Sequence, residues 1–322
     1  MEQNTLDIVK TPVPFITLND GNKMPQVGLG TFKADEGDDI VGLIKSAILE
    51  HGYRHIDTAK VYFNEEKIGQ ALQECILEGV KRDELFIATK LYHDKDKHNV
   101  EEACREQLKR LQLDYLDLYL VHWMSPYIDW DNQENYVQPT PAHKVWEQME
   151  HLVEIGLVKS IGVCNCSCQM MLDILTYAKI RPAVNQIELH PYFSQRDYVD
   201  FIRNKFNIQV TAYAPLSAVN WTFKKPEYNE LNLFKEQLIV DLAGKYSKSV
   251  AQIVLNWHAV HRKHLIIPKT AKKERLGENI NIFDFKLEQT EYEEIDKLEK
   301  GARFYDPLYF SYGVWRNWPY FS

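Results

Sequence analysis

Arg54-His55-Ile56-Asp57-Thr58-Ala59-Lys60-Val61-Tyr62 reads as a short apolar strand ending in a carboxylate, with a phenol five positions beyond it. Asn64-Glu65-Glu66-Lys67 follows at once and supplies a helix N-cap with acids in the first turn, where the positive end of the helix dipole favours them. The stretch is therefore a strand-then-helix unit with ionisable residues at the carboxyl end of its strand. Two later apolar runs repeat the arrangement. Leu85-Phe86-Ile87-Ala88-Thr89-Lys90 ends in an ammonium, and Tyr115-Leu116-Asp117-Leu118-Tyr119-Leu120-Val121-His122-Trp123 delivers an imidazole.

Outward from this stretch the pattern recurs over most of the chain. Strands are predicted at 26–30, 54–57, 85–89, 116–121, 158–163, 183–188, 208–213 and 264–267. Helices are predicted at 36–50, 64–78, 99–111, 142–155, 167–178, 195–204, 232–246, 249–261 and from 273. Near-continuous apolar strands suit a buried parallel sheet, and their spacing allows right-handed crossovers. Eight such units in succession predict an α/β fold of the (β/α)8 TIM-barrel type, a single domain over 1–322. An open dinucleotide-binding sheet is disfavoured, because no G-x-G-x-x-G follows a strand and Gly28-Leu29-Gly30 lacks the third glycine.

Ahead of the repeats, Val13–Leu18 and Lys23-Met24-Pro25 flank Asn19-Asp20-Gly21-Asn22, a β-hairpin signal suited to a cap. Long inserts at 124–141 and 217–231 both follow strands, on the face where barrel active sites lie. The tail from 301 to 322 is aromatic (Phe304, Tyr305, Tyr309, Phe310, Tyr312, Trp315, Trp318, Tyr320, Phe321) and is expected to pack over the barrel mouth.

Composition narrows the function classes. The 322 residues are 45% hydrophobic and 26% charged with a net charge of -8, which argues against nucleic acid as a partner. No apolar run approaches the roughly 20 residues of a membrane span, and no signal-peptide core is visible near Met1. Five cysteines, an odd number set in apparent strands and helices, suit a reducing compartment, so a cytoplasmic location is expected. Cys164, Cys166 and Cys168 have C-x-C-x-C spacing without an evident fourth ligand, a poor match to a zinc site, and no metal is expected.

Asp57, Tyr62, Lys90 and His122 make a chemical set. A tyrosine at its ordinary pKa of about 10 is a weak acid at neutral pH. An ammonium beside it favours the phenolate, and a carboxylate holds that ammonium in place. An imidazole adds a donor able to orient a carbonyl oxygen. Alone, each has a plainer reading, as a helix-capping acid or a satisfied core histidine; together at consecutive strand ends they point to catalysis.

Gly28-Leu29-Gly30-Thr31, Gly52-Tyr53-Arg54-His55-Ile56-Asp57-Thr58-Ala59, Leu113-Asp114-Tyr115-Leu116-Asp117, Leu120-Val121-His122-Trp123, Asn185-Gln186-Ile187-Glu188-Leu189-His190-Pro191 and Ile267-Pro268-Lys269-Thr270 match one family's pattern in its order. The chain resembles an aldo-keto reductase of the aldose or xylose reductase kind along nearly its whole length. The resemblance implies Tyr62 as general acid tuned by Lys90 and Asp57, and His122 orienting the substrate carbonyl. It implies a nicotinamide cofactor bound extended across the barrel mouth, with Thr31, Asn165, Gln186, Tyr213 and Leu216 contacting it and Ala214-Pro215-Leu216-Ser217-Ala218 as the loop that clasps its pyrophosphate. Lys269, Thr270 and Arg275 correspond to the residues holding a 2'-phosphate, and Glu278 and Asn279 to adenine contacts. NADPH is therefore the expected cofactor, with NADH a weaker substitute.

Two positions depart from the family pattern near the cofactor. Cys164 stands where serine is common, and Lys272 where a hydroxyl or small residue is usual. Phe32, Trp123 and Phe223 correspond to substrate-pocket walls. Arg303-Phe304-Tyr305-Asp306-Pro307 resembles a segment of xylose-reductase-like members, with Tyr305 in place of asparagine. The expected reaction is aldehyde or aldose reduction by a monomer or weak dimer. A non-enzymatic NADPH-binding barrel serving as a sensor or regulatory subunit, a crystallin-like structural protein, and a ketone reductase are the alternatives.

Overall fold

Each strand-then-helix unit becomes a buried parallel strand covered by a helix, and the strands succeed one another around a ring in chain order. A computed structural model describes residues 12–34, 39–92, 94–124, 140–218, 221–309 and 320–321. An antiparallel hairpin comes first, β1 (Phe15–Thr17) with β2 (Lys23–Pro25). The ring strands are β3 (Leu29–Gly30), β4 (His55–Asp57), β5 (Phe86–Leu91), β6 (Leu116–Val121), β7 (Val158–Cys164), β8 (Val184–Glu188), β9 (Gln209–Tyr213) and β10 (Leu265–Ile266), each paired in parallel with the next.

The ring closes where its first and last strands meet. Val27 bridges Ile266 and Gly30 bridges Lys269, and the Gly28 amide donates to the Ile266 carbonyl at 2.8 Å. A Cβ on Gly30 would come within 2.6 Å of the Ile267 carbonyl oxygen, so a side chain there would wedge the seam open. The two spaced glycines of the sequence thus serve barrel closure rather than a dinucleotide turn.

Outside the ring lie α1 (Ile40–Lys45), α2 (Glu65–Leu77), α3 (Asp94–His98), α4 (Val100–Leu111), α5 (Ala142–Glu154), α6 (Cys168–Tyr177), α7 (Arg196–Phe206), α8 (Gln237–Tyr246), α9 (Val250–Asn256), α10 (Leu276–Ile280) and α11 (Gln289–Asp296). Their apolar stripes face the strands. In α4, Val100, Ala103, Cys104, Gln107, Leu108 and Leu111 are buried at helical spacing, and the Asn99 side chain caps the first turn by accepting from the Glu102 amide. Inside the ring, Phe86, Ala88, Leu118, Leu120, Val184 and Leu265 pack with Leu18 and Met24 of the hairpin. Asn19 and Asn22 tie that hairpin to Pro182 and Ser160 near the amino ends of β8 and β7. The cap expected from Asn-Asp-Gly therefore plugs the end opposite the ionisable strand ends.

Four expected helices differ in detail, one of them the helix expected over 232–246, which begins as a 3-10 turn, Leu233–Lys235, before α8. The helix expected over 249–261 is α only to Asn256 and continues as one π turn, Trp257–His261. The helix expected from 273 begins as a 3-10 turn, Lys273–Arg275, before the five residues of α10. The helix expected over 36–50 is α1 followed by a π turn, Ser46–Glu50, and its first three positions lie outside the described residues. Asp129, Asp131, Asn132, Gln133 and Glu134 of the first insert also lie outside them, as do Phe310, Tyr312, Trp315 and Trp318 of the tail. No helix among the described residues is long and apolar enough to cross a membrane.

Candidate active site

β4, β5 and β6 bring their terminal ionisable groups to one end of the ring. Lys90 is fully buried and donates to Asp57 Oδ1 at 2.6 Å, to the Thr58 carbonyl at 2.8 Å and to the Tyr62 hydroxyl at 3.3 Å. Tyr62 reaches the cluster from a 3-10 turn, Lys60–Tyr62, that ends on Phe63 in the left-handed region at φ 55°. The His122 ring packs edge-on to Tyr62, with centroids 6.1 Å apart. The other oxygen of Asp57 accepts from Gln186 Nε2 at 2.8 Å, which couples this cluster to β8.

Burial sets the protonation states. It pushes the Tyr62 phenol up to about 12, outweighing the downward pull of Lys90, while Asp57 adds to the rise. The expectation that lysine would depress the phenol is thus met only in direction of force; the phenol stays protonated. Burial also works against the Lys90 ammonium, but the negative groups around it, Asp57 first, hold its pKa above the ordinary lysine value. His122 is kept well below its ordinary value by burial and then by Lys90 and Lys97, so its ring is neutral. Its Nδ1 is buried without a hydrogen-bond partner among the described residues. The cluster therefore offers a neutral O–H backed by a fixed ammonium, next to a neutral imidazole.

A second layer holds Lys90 from behind. Buried Glu65, in the first turn of α2, accepts from Thr89 Oγ1 and Gln107 Nε2, both at 2.7 Å, and from Arg110 Nε at 2.8 Å. Gln107 Nε2 also lies 3.3 Å from the Lys90 carbonyl, and Tyr119 donates to Gln107 Oε1 at 2.6 Å. Glu65 entered the sequence reading only as a helix-start acid; its partners on β5 and α4 give it this further task.

The expected cofactor residues line the ends of β7, β8 and β9. Asn165, at φ 54°, donates to the His122 carbonyl at 3.1 Å and accepts from the Tyr213 hydroxyl at 2.8 Å. Thr31 is fully buried and spends its hydroxyl on the Asp57 carbonyl, 2.9 Å away. The loop after β9 turns sharply, with Ala214 at φ 47° and Ser217 at φ 63°, and its Leu216 packs against the core. The Ser217 Oγ is buried with no hydrogen-bond partner among the described residues. Beyond β10, Lys269, Lys272 and Arg275 are exposed, Glu278 is exposed, and Thr270 and Asn279 are buried. Because α10 has only five residues, an anion there relies on these side chains more than on a helix dipole. Amides, a ring, an unspent hydroxyl in a tight loop and a cationic patch together fit a nicotinamide dinucleotide phosphate.

The aromatic residues expected as substrate walls gather near Tyr62 and His122, with one addition. Phe32 lies 5.1 Å from Tyr62 between ring centroids, and Trp123 is buried beside His122. Phe223 contacts Trp221, and Trp221 meets Phe32 at 6.4 Å and Tyr305 at 4.7 Å. Trp221 was not singled out in the sequence; its place in the insert after β9 was the available signal. Tyr320 and Phe321, near the chain's end, rest on Trp123 at 4.8 and 6.2 Å, so this part of the tail does reach the mouth. Burial drives the Cys164 and Cys166 thiols above the ordinary range, which makes them poor nucleophiles, and no metal-ligand cluster occurs among the described residues.

Comparison with known proteins identifies a family and similar folds. Residues 26–300 match the model of the aldo/keto reductase family. Aldose reductase C of Dictyostelium discoideum is 38% identical over 311 residues, covering 91% of this chain and 92% of its own. Aldo-keto reductase family 1 member A1 of Bos taurus is 41% identical over 303 residues, covering 91% of each. A Bombyx mori aldo-keto reductase solved in complex with NADP superposes with a TM-score of 0.83 at 35% identity, over 96% of this chain and 99% of the other. The aldose reductase from Schistosoma japonicum gives 0.82 at 33% identity, over 94% of this chain and 98% of the other.

Proposed function

Because the chain belongs to the aldo/keto reductase family, we propose that it reduces aldehydes, aldoses among them, to alcohols with NADPH, Tyr62 giving the proton. The observation that carries the reading is the contact of a fully buried Lys90 with both Asp57 and the Tyr62 hydroxyl beside a neutral His122. A bound nicotinamide supplies the hydride. The protein's part is to meet the charge that develops on the carbonyl oxygen. His122, neutral, hydrogen-bonds that oxygen and orients it. Tyr62 passes its proton to the oxygen as negative charge grows there, and the phenolate left behind is stabilised by the Lys90 ammonium. Asp57 fixes Lys90 and is itself held by Gln186.

Asn165 and Gln186 would hold the carboxamide, Tyr213 the ring, and Lys269, Thr270 and Arg275 the 2'-phosphate. We read the chain as one catalytic domain over 1–322, working in the cytoplasm as a monomer or weak dimer on a small carbonyl substrate. The test is the oxidation rate of NADPH and of NADH by the purified protein with glyceraldehyde, xylose and an aromatic aldehyde. Turnover with NADPH, exceeding that with NADH, is expected. Tight NADPH binding without turnover on any of the three would shift the reading to a cofactor-binding barrel.

A further inference from the structure

The π turn Trp257–His261 places a histidine where it can reach the loop after β9. His258 Nε2 lies 3.1 Å from the Pro215 carbonyl oxygen, and His258 Nδ1 lies 3.0 Å from His264 Nδ1. Both imidazoles are fully buried. The protons follow from the partners. A carbonyl only accepts, so His258 Nε2 carries N–H. Burial keeps this ring neutral, pushing its pKa down to about 3, so His258 Nδ1 is bare and accepts. His264 Nδ1 must then be the donor, which leaves His264 Nε2 bare, and that atom has no hydrogen-bond partner among the described residues.

His264 is itself anchored at the barrel seam. Its amide bonds the His258 carbonyl at 2.9 Å, and its carbonyl accepts from Gln26 Nε2 at 3.0 Å. Gln26 also takes the Ile266 amide on its own carbonyl at 2.9 Å, beside the bridges that close the ring. The Pro215 loop therefore hangs on a chain of hydrogen bonds that runs to the join of first and last strands. It needs such a hold, because Ala214 and Ser217 both sit at positive φ without being glycine. A non-glycine residue in that region is strained and persists only where its surroundings over-determine it.

We propose that His258 and His264 form a buried two-imidazole brace that holds the Ala214–Ser217 loop in its cofactor-receiving shape through the Pro215 carbonyl. The inference rests on the reading of that loop as the pyrophosphate clasp of a nicotinamide cofactor. His258 is a positioning residue: it reaches the ligand only through Pro215. Since the pyrophosphate is common to both nicotinamide cofactors, loss of the brace weakens NADPH and NADH alike, whereas loss of a 2'-phosphate contact weakens NADPH alone.

The experiment has two arms, both on the full chain. Dissociation constants for NADPH and NADH are measured by quenching of tryptophan fluorescence for wild type, His258→Phe and His258→Gln. His258→Phe is expected to raise both constants by the same factor, about tenfold or more. His258→Gln, which keeps an N–H for the carbonyl, is expected to return most of the loss. In the second arm, nitrogen NMR of the wild-type imidazoles should find His258 protonated at Nε2 and His264 at Nδ1, with the His258 signals shifting when NADPH saturates the protein. Unchanged constants in a folded His258→Phe overturn the proposal. Should that variant fail to fold, a bare His258 Nε2, or His258 signals unmoved by NADPH, overturns it instead. If the wild type binds neither cofactor, the functional reading itself fails, which is a separate outcome.

Discussion

At the scale of single residues the chemistry turns on which proton is available. Burial keeps the Tyr62 hydroxyl protonated, so in the proposed reaction it would serve as a donor at neutral pH rather than as a phenolate. Tyr62→Phe removes that proton and little volume. Its turnover is expected to fall by about a hundredfold or more, the usual scale of a positioned general acid, while NADPH binding stays within about twofold. Single-turnover rates and a cofactor titration measured together check this, and turnover near wild type would remove Tyr62 from the mechanism. Arg275 makes a complementary case. It is exposed on the turn before α10, free to follow a charged ligand. Arg275→Ala should weaken NADPH by about tenfold, the worth of one charge-assisted contact at 1.4 kcal/mol, and leave NADH unchanged. Equal losses for both cofactors would move the 2'-phosphate site elsewhere.

At the scale of elements, the end of β8 controls the tail. Glu188 is fully buried, and its Oε1 accepts the Phe304 amide at 2.7 Å and His190 Nε2 at 3.0 Å, while its Oε2 accepts the Tyr305 amide at 2.9 Å. The His190 ring stacks on Phe304 with centroids 4.9 Å apart. This carboxylate thereby sets Tyr305 between Trp221 and Tyr213, where the expected substrate walls and the expected cofactor residues meet. Glu188→Gln replaces an acceptor by a donor facing backbone N–H groups, a change worth about 1–3 kcal/mol of stability. The expected result is a KM for aldoses raised several-fold with kcat within about threefold of wild type. A kcat that falls with KM unchanged would show instead that the tail serves the chemical step. None of this contact is visible in the local pattern, since Glu188 and Phe304 lie 116 positions apart. The strands themselves were legible, because burial on both faces writes an apolar run into the sequence; β6 falls at its expected bounds of Leu116–Val121. The π turn at Trp257–His261 was not, as helical and π registers share the same composition and differ only in which carbonyl each amide finds. Trp221 was missed for a related reason: its neighbour Tyr305 comes from the tail, and only the folded chain joins them.

At the scale of the whole molecule, the fold carries imidazoles that it keeps neutral. His55, His258 and His264 are fully enclosed. Burial lowers His55 to about 4 and His258 to about 3, and drives His264 well below its ordinary value. In the unfolded chain each takes up a proton near pH 6.5. Between that value and the folded pKa the unfolded state binds more protons, so stability falls as pH falls. Above pH 7 the contribution is complete; below it, each ring loses about 1 kcal/mol per pH unit, or about 3 kcal/mol per unit for the three together. A domain's total stability is about 5–15 kcal/mol, so the effect is large. Carboxylates titrate near pH 4 and stay outside the window between pH 7 and 5, which isolates the histidines. Urea midpoints at pH 7, 6 and 5 should therefore drop steeply in both steps. Proton uptake on unfolding at pH 5.5, measured by calorimetry in two buffers, should approach four per chain, because His122 is also held neutral in the fold and adds to these three. A midpoint constant from pH 7 to 5 would mean that these rings accept a proton inside the fold. Pro215 would then be held by an imidazolium, and the brace beneath the cofactor loop would itself respond to acid.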